Sequence, residues 1–395
     1  MCLPLIVLIP LPTKTLEILN MPKRNNWQLG RDITYPYDAP LPQRQVAYVF
    51  DINKCIDCQT CSVACKNAWT SGKGEEYVFW NNVETKPYGG YPIGWDLKLM
   101  EKAEPAKWKG DKLESKTIFE GRSPLEPPLG HMPDTMDYSA PNLGEDELSQ
   151  AVGQGEHFNG LHPMWMFYLA RICNHCTLPA CVAACPRQAV YKREEDGIVL
   201  IDQERCRGYQ ECVKACPYKK AFYNLISRTS EKCIGCYPRV EQGEVALCVE
   251  SCIGKIRLHG FLSTQNEPRA DNPLDYLVRI KKVALPLYPQ FGTSPNVYYI
   301  PPVHVPDVFL EQMFGPSVLQ AKAMYQKVKD DKQMLGAMML FGANIRIIDK
   351  FKVEGDEVIG WDAEGTEVAR VPFTEPTYVR EHYDAKHKVY RHNTT

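Results

Sequence analysis

No uninterrupted apolar run approaches the roughly 18 residues that would suggest a helix crossing a membrane, so no direct membrane span is expected. There is also little imbalance of charge. The 46 basic residues stand against 48 acidic ones, a formal charge of −2, which carries no signature of nucleic acid or another polyanion as partner. No glycine-rich dinucleotide loop follows a strand and no nucleophile motif is present; "GWDAEGTEVA" and similar pieces read as turns. Chemistry on a substrate is therefore expected to belong to another chain. Residues 1–20 hold a short apolar run without a basic leader, with prolines at 4, 10 and 12, and without a small-x-small cleavage site after it. That is a poor secretory signal. Met21 begins more ordinary text, so the first twenty residues read as an upstream extension and Cys2 as a spare thiol.

What the 395 residues do have is cysteine, 16 in all. Disulfide scaffolds are typically short secreted domains without a core, whereas this chain is long and its cysteines are bunched in Cys-x2-Cys groups. Four groups repeat along it. "CIDCQTCSVAC" carries Cys55, Cys58, Cys61 and Cys65, and "CNHCTLPACVAACP" carries Cys173, Cys176, Cys181 and Cys185. "CRGYQECVKACP" carries Cys206, Cys212 and Cys216, and "CIGCYPRVEQGEVALCVESC" carries Cys233, Cys236, Cys248 and Cys252.

Between the second and third groups, "RQAVYKREEDGIVLIDQER" has two β-rich runs flanking Asp196-Gly197 and predicts a hairpin. "CSVACKNAW" and "CVKACPYKKAFY" predict single helical turns, and the aromatic run at residues 162–172 a buried strand. The expected fold class is α+β, with two interleaved ferredoxin-like lobes carrying four iron-sulfur clusters. Its parts are an N-terminal extension (1–44), a first lobe (45–65 and 226–262), an insertion (66–165), a second lobe (166–225) and a C-terminal interface region (263–395). That cysteine-free tail is expected to pack on the core or wrap a partner, through an amphipathic helix near residues 317–340 and a hairpin near 351–371.

In two-cluster ferredoxins the run C-x2-C-x2-C-x3-C gives three thiolates to one cluster and its fourth to the other. Applied in nested pairs, that rule assigns Cys173, Cys176, Cys181 and Cys216 to one [4Fe-4S] cluster. It sends Cys185 to join Cys206 and Cys212. Tyr209 stands where a second thiolate of the third group should fall, so this site has three thiolates, which suits a [3Fe-4S] cluster with the ring in the vacant corner. The outer groups pair likewise: Cys55, Cys58 and Cys61 with Cys252, and Cys233, Cys236 and Cys248 with Cys65. Three [4Fe-4S] clusters and one [3Fe-4S] cluster result, and iron is the only metal expected. Four-cysteine zinc sites also use Cys-x2-Cys pairs, but have no use for the displaced fourth thiolate or the proline after it. Tyr209 also admits a plainer reading, a surface residue in a [4Fe-4S] loop with a non-cysteine ligand. His175 is expected to orient backbone or tune a cluster rather than bind metal. Lys219 and Lys220 either raise a nearby cluster's potential or form a solvated pair.

The four groups in this order, with an aromatic residue replacing one cysteine of the third, resemble the iron-sulfur β subunit of the nitrate reductase type within the molybdenum bis-pterin oxidoreductases. "NVYYIPP" and "FGP" in the tail extend the resemblance over nearly the whole chain. "NWQLGR", "YPY", "WNNVETKPYGGYP" and the tyrosine at 209 resemble most closely the β subunit of nitrite oxidoreductase. The resemblance implies an electron wire between a molybdenum-bearing α subunit and a haem-b or other cytochrome γ subunit, with the Cys55 end docked on the α subunit. Nitrate, selenate, chlorate and perchlorate reductases and ethylbenzene and dimethyl sulfide dehydrogenases share this plan. A stand-alone polyferredoxin carrier would hardly need the insertion and tail. The expected compartment is periplasmic or an equivalent one, reached by co-export with the α subunit; the cytoplasmic face of the membrane is the alternative.

Overall fold

The computed structural model describes residues 22–37, 41–87, 89–121, 126–138, 165–264, 267–374 and 382–391. The expectations for residues 1–20 and Cys2 lie outside the described residues, as does the start of the 162–172 run. At the centre is a four-stranded sheet in the order Arg257–Ser263, Arg44–Asp51, Val297–Ile300, Leu285–Pro286. The 44–51 strand, "RQVAYVFD", is rich in β-branched and aromatic residues and alternates between two buried faces. Val46, Tyr48 and Phe50 face the cysteine-bearing segments, whereas Ala47 and Val49 face the tail. Because both faces are covered, the strand reads as a near-continuous apolar run.

The sheet's register does the long-range work. The 257–263 strand runs antiparallel to 44–51, with Phe50 opposite Arg257 and Arg44 opposite Ser263. Chain leaving residue 51 for Cys55 therefore meets chain arriving from Cys252 at one end of the sheet. Strand 297–300 joins on the other side, parallel to 44–51. The cysteine-free tail thus supplies part of the central sheet, and it also covers one face. Met334 and Ala337 of helix Lys332–Met339 and Phe351 and Val358 of a meander pack on Val49, Leu258, Tyr298 and Ile300.

The expected hairpin between the second and third groups is present, Val190–Lys192 against Val199–Ile201. Gly197 holds its turn at φ +70, and a Cβ there would strike Gln45. The aromatic run forms strand Phe167–Arg171, paired with Asn82–Lys86 of the insertion. Elsewhere the outcome differs from expectation. The "CSVACKNAW" run is a helix of ten residues, Thr60–Trp69, rather than one turn. The second half of "CVKACPYKKAFY" is strand Ala221–Asn224. The tail's expected single helix is two, Val318–Gln326 and Lys332–Met339, separated by a short 3-10 turn. Asp331 restarts the helix as N-cap, its carboxylate accepting from the Met334 N–H at 2.9 Å. The hairpin near 351–371 gains a third strand, Glu367–Pro372, after a turn in which Asp362 accepts from the Thr366 N–H.

The insertion is clamped to the core by buried charge. Arg171 donates through Nε to Glu84 (2.6 Å), and its other nitrogens reach the carbonyls of Tyr91 and Tyr218, both at 2.8 Å. Lys86 bridges Glu84 (3.6 Å) and Asp96 (2.9 Å). Burial alone would raise the Glu84 carboxyl; Arg171 and Lys86 outweigh it and hold the group below its usual range. Arg171→Met, which leaves that carboxylate facing fewer cations, should cost about 3–5 kcal/mol of stability. Arg370→Ala, removing surface pairs with Glu357 and Glu367, should barely move the melting temperature. Thermal denaturation of the two variants checks this; equal melting temperatures would contradict it.

Candidate metal centres

The cysteine loops share local geometry. Asp57 and Gln59 have φ of +55 and +56 ahead of helix 60–69; Gly208 and Gln210 repeat this at +68 and +60 ahead of helix Glu211–Ala215. Tyr209 thus occupies the backbone place of Cys58. After the last cysteine of the second, third and fourth groups, a left-handed residue closes a turn: Gln188, Lys219 and Lys255, with φ of +51, +50 and +50. Their N–H groups donate to the carbonyls of Cys185, Cys216 and Cys252 at 3.1, 3.3 and 3.2 Å. In two of these turns the next N–H points at the sulfur: Ala189 donates to Cys185 Sγ (3.3 Å) and Lys220 to Cys216 Sγ (3.5 Å).

Fifteen cysteines lie in the described residues, none of them in a disulfide. Helix 180–183 packs against 211–215, and helix 60–69 against 247–250. Cys173, Cys176, Cys181 and Cys216 line one cavity with His175, Tyr218, Lys220 and Lys232. Cys65, Cys233, Cys236 and Cys248 line a second with Tyr48, Trp69, Trp80 and Ile172. Cys185, Cys206 and Cys212 line a third with Gly208, Ser230 and Tyr209. Tyr209 is 61% exposed where it lines this cavity. Cys61, Cys248, Cys252 and Cys55 all act on the buried Arg257, and Cys58 is exposed.

These sets adjoin in sequence through the core. Arg257 touches Cys61 and also reaches Cys248. Cys233 lies within electrostatic range of Cys173. Cys181 and Cys212 share an apolar group against which Cys185 and Cys216 pack.

Burial pushes the thiols of Cys233 and Cys248 up to about 12 and those of Cys55, Cys212 and Cys236 up to about 11. Cys58 runs the other way, lowered by the Thr60 hydroxyl that donates to its sulfur at 3.5 Å. A coordinating metal deprotonates a thiol outright, and the resulting buried negative charge needs cations and donors beside it. Both are present. Lys219 and Lys220 are buried rather than solvated: Lys219 Nζ donates to the carbonyls of His131 and Lys214, both at 2.7 Å, and Lys220 Nζ to Asn82. Burial pushes Lys192, Lys219 and Lys220 down to about 7, with the neighbouring thiols pulling the other way.

Several donors are left with no protein partner around the cavities. His175 Nδ1 accepts from the Val199 N–H at 3.1 Å, which puts the proton on an unpartnered Nε2 beside the Cys173 cavity. His259, stacked on Tyr48, does the same with the Ala246 N–H. Trp80 leaves its indole N–H group unpartnered at the Cys65 cavity. Buried donors of this kind require acceptors. Sulfur-rich clusters supply them, and the residues present fit such groups. Among the described residues no three His, Cys, Asp or Glu side chains converge on a single-ion site; the thiols are spread around cavities instead. Arg257, Lys192, Lys232 and His259 were not singled out from the sequence. A basic residue on a short strand next to a cysteine group is the signal that could have found the first three.

During slow iron removal with a chelator at pH 8, Cys58, exposed and lowered in pKa, should be alkylated by iodoacetamide well before the buried Cys65 and Cys248. Peptide mass mapping reads the order, and simultaneous labelling would contradict the picture of enclosed thiols.

Residues 164–261 match the 4Fe-4S dicluster domain family, a span holding the second, third and fourth cysteine groups. The chain is 46% identical to the selenate reductase subunit beta of Thauera selenatis, across 72% of this chain and 90% of that protein. The chlorate reductase subunit beta of Ideonella dechloratans is likewise 46% identical, across 72% and 90%. For the respiratory nitrate reductase subunit beta of Haloferax mediterranei the identity is 45%, across 70% and 84%. On these similarities the chain belongs to the family of iron-sulfur β subunits of molybdenum oxidoreductases.

Proposed function

We propose that this electron-transfer subunit holds three [4Fe-4S] clusters, on the Cys55, Cys58, Cys61, Cys252 set, the Cys65, Cys233, Cys236, Cys248 set and the Cys173, Cys176, Cys181, Cys216 set. A [3Fe-4S] cluster sits on Cys185, Cys206 and Cys212 beside Tyr209. The subunit relays electrons between a molybdenum bis-pterin α subunit and a cytochrome γ subunit as nitrite is oxidised. When bound, iron-sulfur clusters supply reversible one-electron transfer at potentials set by charge, hydrogen bonds to sulfur and exposure. The observation that carries the reading is the succession of thiol sets through one core, with Cys58 exposed at one end and Tyr209 at the other.

In the segments that carry Cys58 and Cys252, Ile56, Val63 and Ile253 are each more than half exposed, among exposed Lys54 and Lys255. Such exposed apolar residues suit a permanent partner and support docking of the α subunit at this end. Within the core, Tyr48, Trp69 and Trp80 keep water from the Cys65 set, and the buried lysines offset the charge of the thiolates. The choice of nitrite rests on the likeness of "NWQLGR" and "WNNVETKPYGGYP" to nitrite oxidoreductase. The identities with the selenate and chlorate reductase subunits favour a second reading, the same subunit in an oxyanion reductase.

The purified complex should contain about 15 iron atoms attributable to this chain and show a three-iron EPR signal when oxidised. Tyr209→Cys should convert that signal to a four-iron one; its persistence would remove the role given to Tyr209. Cys212→Ala should leave reduction of the molybdenum by nitrite intact while abolishing cytochrome reduction. Normal cytochrome reduction without the three-iron signal would overturn the order of the relay. Turnover with selenate or chlorate but not nitrite would favour the second reading.

A further inference from the structure

Arg257 is an arginine with almost no contact with water, 1% exposed, at the start of the 257–263 strand. Its guanidinium lies 4.4 Å from the centre of the Phe50 ring, its partner across the sheet. Nη2 donates to Cys61 Sγ at 2.9 Å; helix 247–250, which carries Cys248, packs on helix 60–69, which carries Cys61, and brings Cys248 within electrostatic range of the guanidinium. Nε and Nη1 have no other protein partner. The groups acting on it most strongly are the thiols of Cys61, Cys248, Cys252 and Cys55, and no carboxylate is among them. Three of them belong to the Cys55 set and one, Cys248, to the Cys65 set.

We propose that Arg257 is a positioning residue that sets the potentials of two adjacent centres together. The inference rests on the ligand sets proposed above. A fixed positive charge favours the more negative state of anything beside it. Placed between two thiolate sets, it makes both easier to reduce by one electron, without any bond made or broken at the arginine. It also keeps them matched, because a single charge acts on both. The planar fork matters as well as the charge: guanidinium nitrogens point in several fixed directions at once, whereas an ammonium is a single compact point. One face of the fork is used by Phe50, leaving its edges for sulfur from each set.

The test is an EPR-monitored redox titration of the purified complex, with iron content measured for each variant. Arg257→Gln should lower the reduced-to-oxidised ratio of both adjacent centres about tenfold or more at a fixed poise, equivalent to about 59 mV for a one-electron couple. The Cys173 and Cys185 centres should not move. Arg257→Lys, which keeps the charge and loses the fork, should fall between Arg257→Gln and the native protein at both centres. Full iron with unmoved potentials in Arg257→Gln would overturn the proposal, and a shift at only one centre would overturn the joint role. If Arg257→Gln loses iron, Arg257→Lys tests the fork, unchanged potentials refuting its part, and Arg257→Met tests the charge, unmoved potentials at both centres with full iron refuting the role. Absence of the two centres from the native complex would overturn the ligand sets themselves, and the proposal with them.

Discussion

A thiolate kept away from water needs positive charge or N–H donors buried with it, and the core is organised around meeting that need many times over. Most of the sulfurs are enclosed, and burial alone would hold them as neutral thiols. The chain answers with Arg257, Lys219, Lys220 and Lys232 in the interior and the half-buried Lys192, with backbone N–H groups aimed at Cys185 and Cys216, and with imidazole and indole donors at the cavities. Buried cations are costly in themselves. The lysines are tethered to oxygen atoms, as Lys219 is to the carbonyls of His131 and Lys214, so each is held whether or not metal is present, whereas Arg257 rests on Cys61 and the Phe50 ring.

The central sheet connects that interior to the rest of the molecule. One face receives the cysteine segments and the other the tail, so neither set of neighbours can be removed without exposing apolar strand residues. The insertion is secured by Arg171 and Glu84 as well as by Trp95, Leu99, Leu113 and Ile118, which join the main apolar core. Arg171 ends the strand that leads directly into Cys173, so its ion pair with the insertion also holds the approach to that loop.

Local features were legible in the sequence and distant ones were not. The cysteine groups, the hairpin around Asp196-Gly197 and the strand ending at Arg171 are written within a few residues each. The fate of Lys219 and Lys220 depended on what would cover them, and His131 and Asn82 come from far along the chain. Arg257 escaped notice because only the register with Phe50 swings it onto Cys61. In the tail, helical periodicity ran through residues 327–331, but Asp331 uses its carboxylate as a cap and so divides the helix. A meander and a hairpin look alike until the third strand is placed.

The register of strand 44–51 also governs the timing of synthesis. This strand emerges early from the ribosome, yet its antiparallel neighbour is complete only at residue 263 and its parallel neighbour only at residue 300. Until then both of its apolar faces and both of its hydrogen-bonding edges are unmatched, a combination prone to aggregation in a nascent chain. The second and third cysteine groups lie close together in sequence and can come together sooner. Growth of the polypeptide therefore imposes an order from the middle outward: the segment named for its hairpin can close first, and the end of the chain made earliest is among the last to find its place.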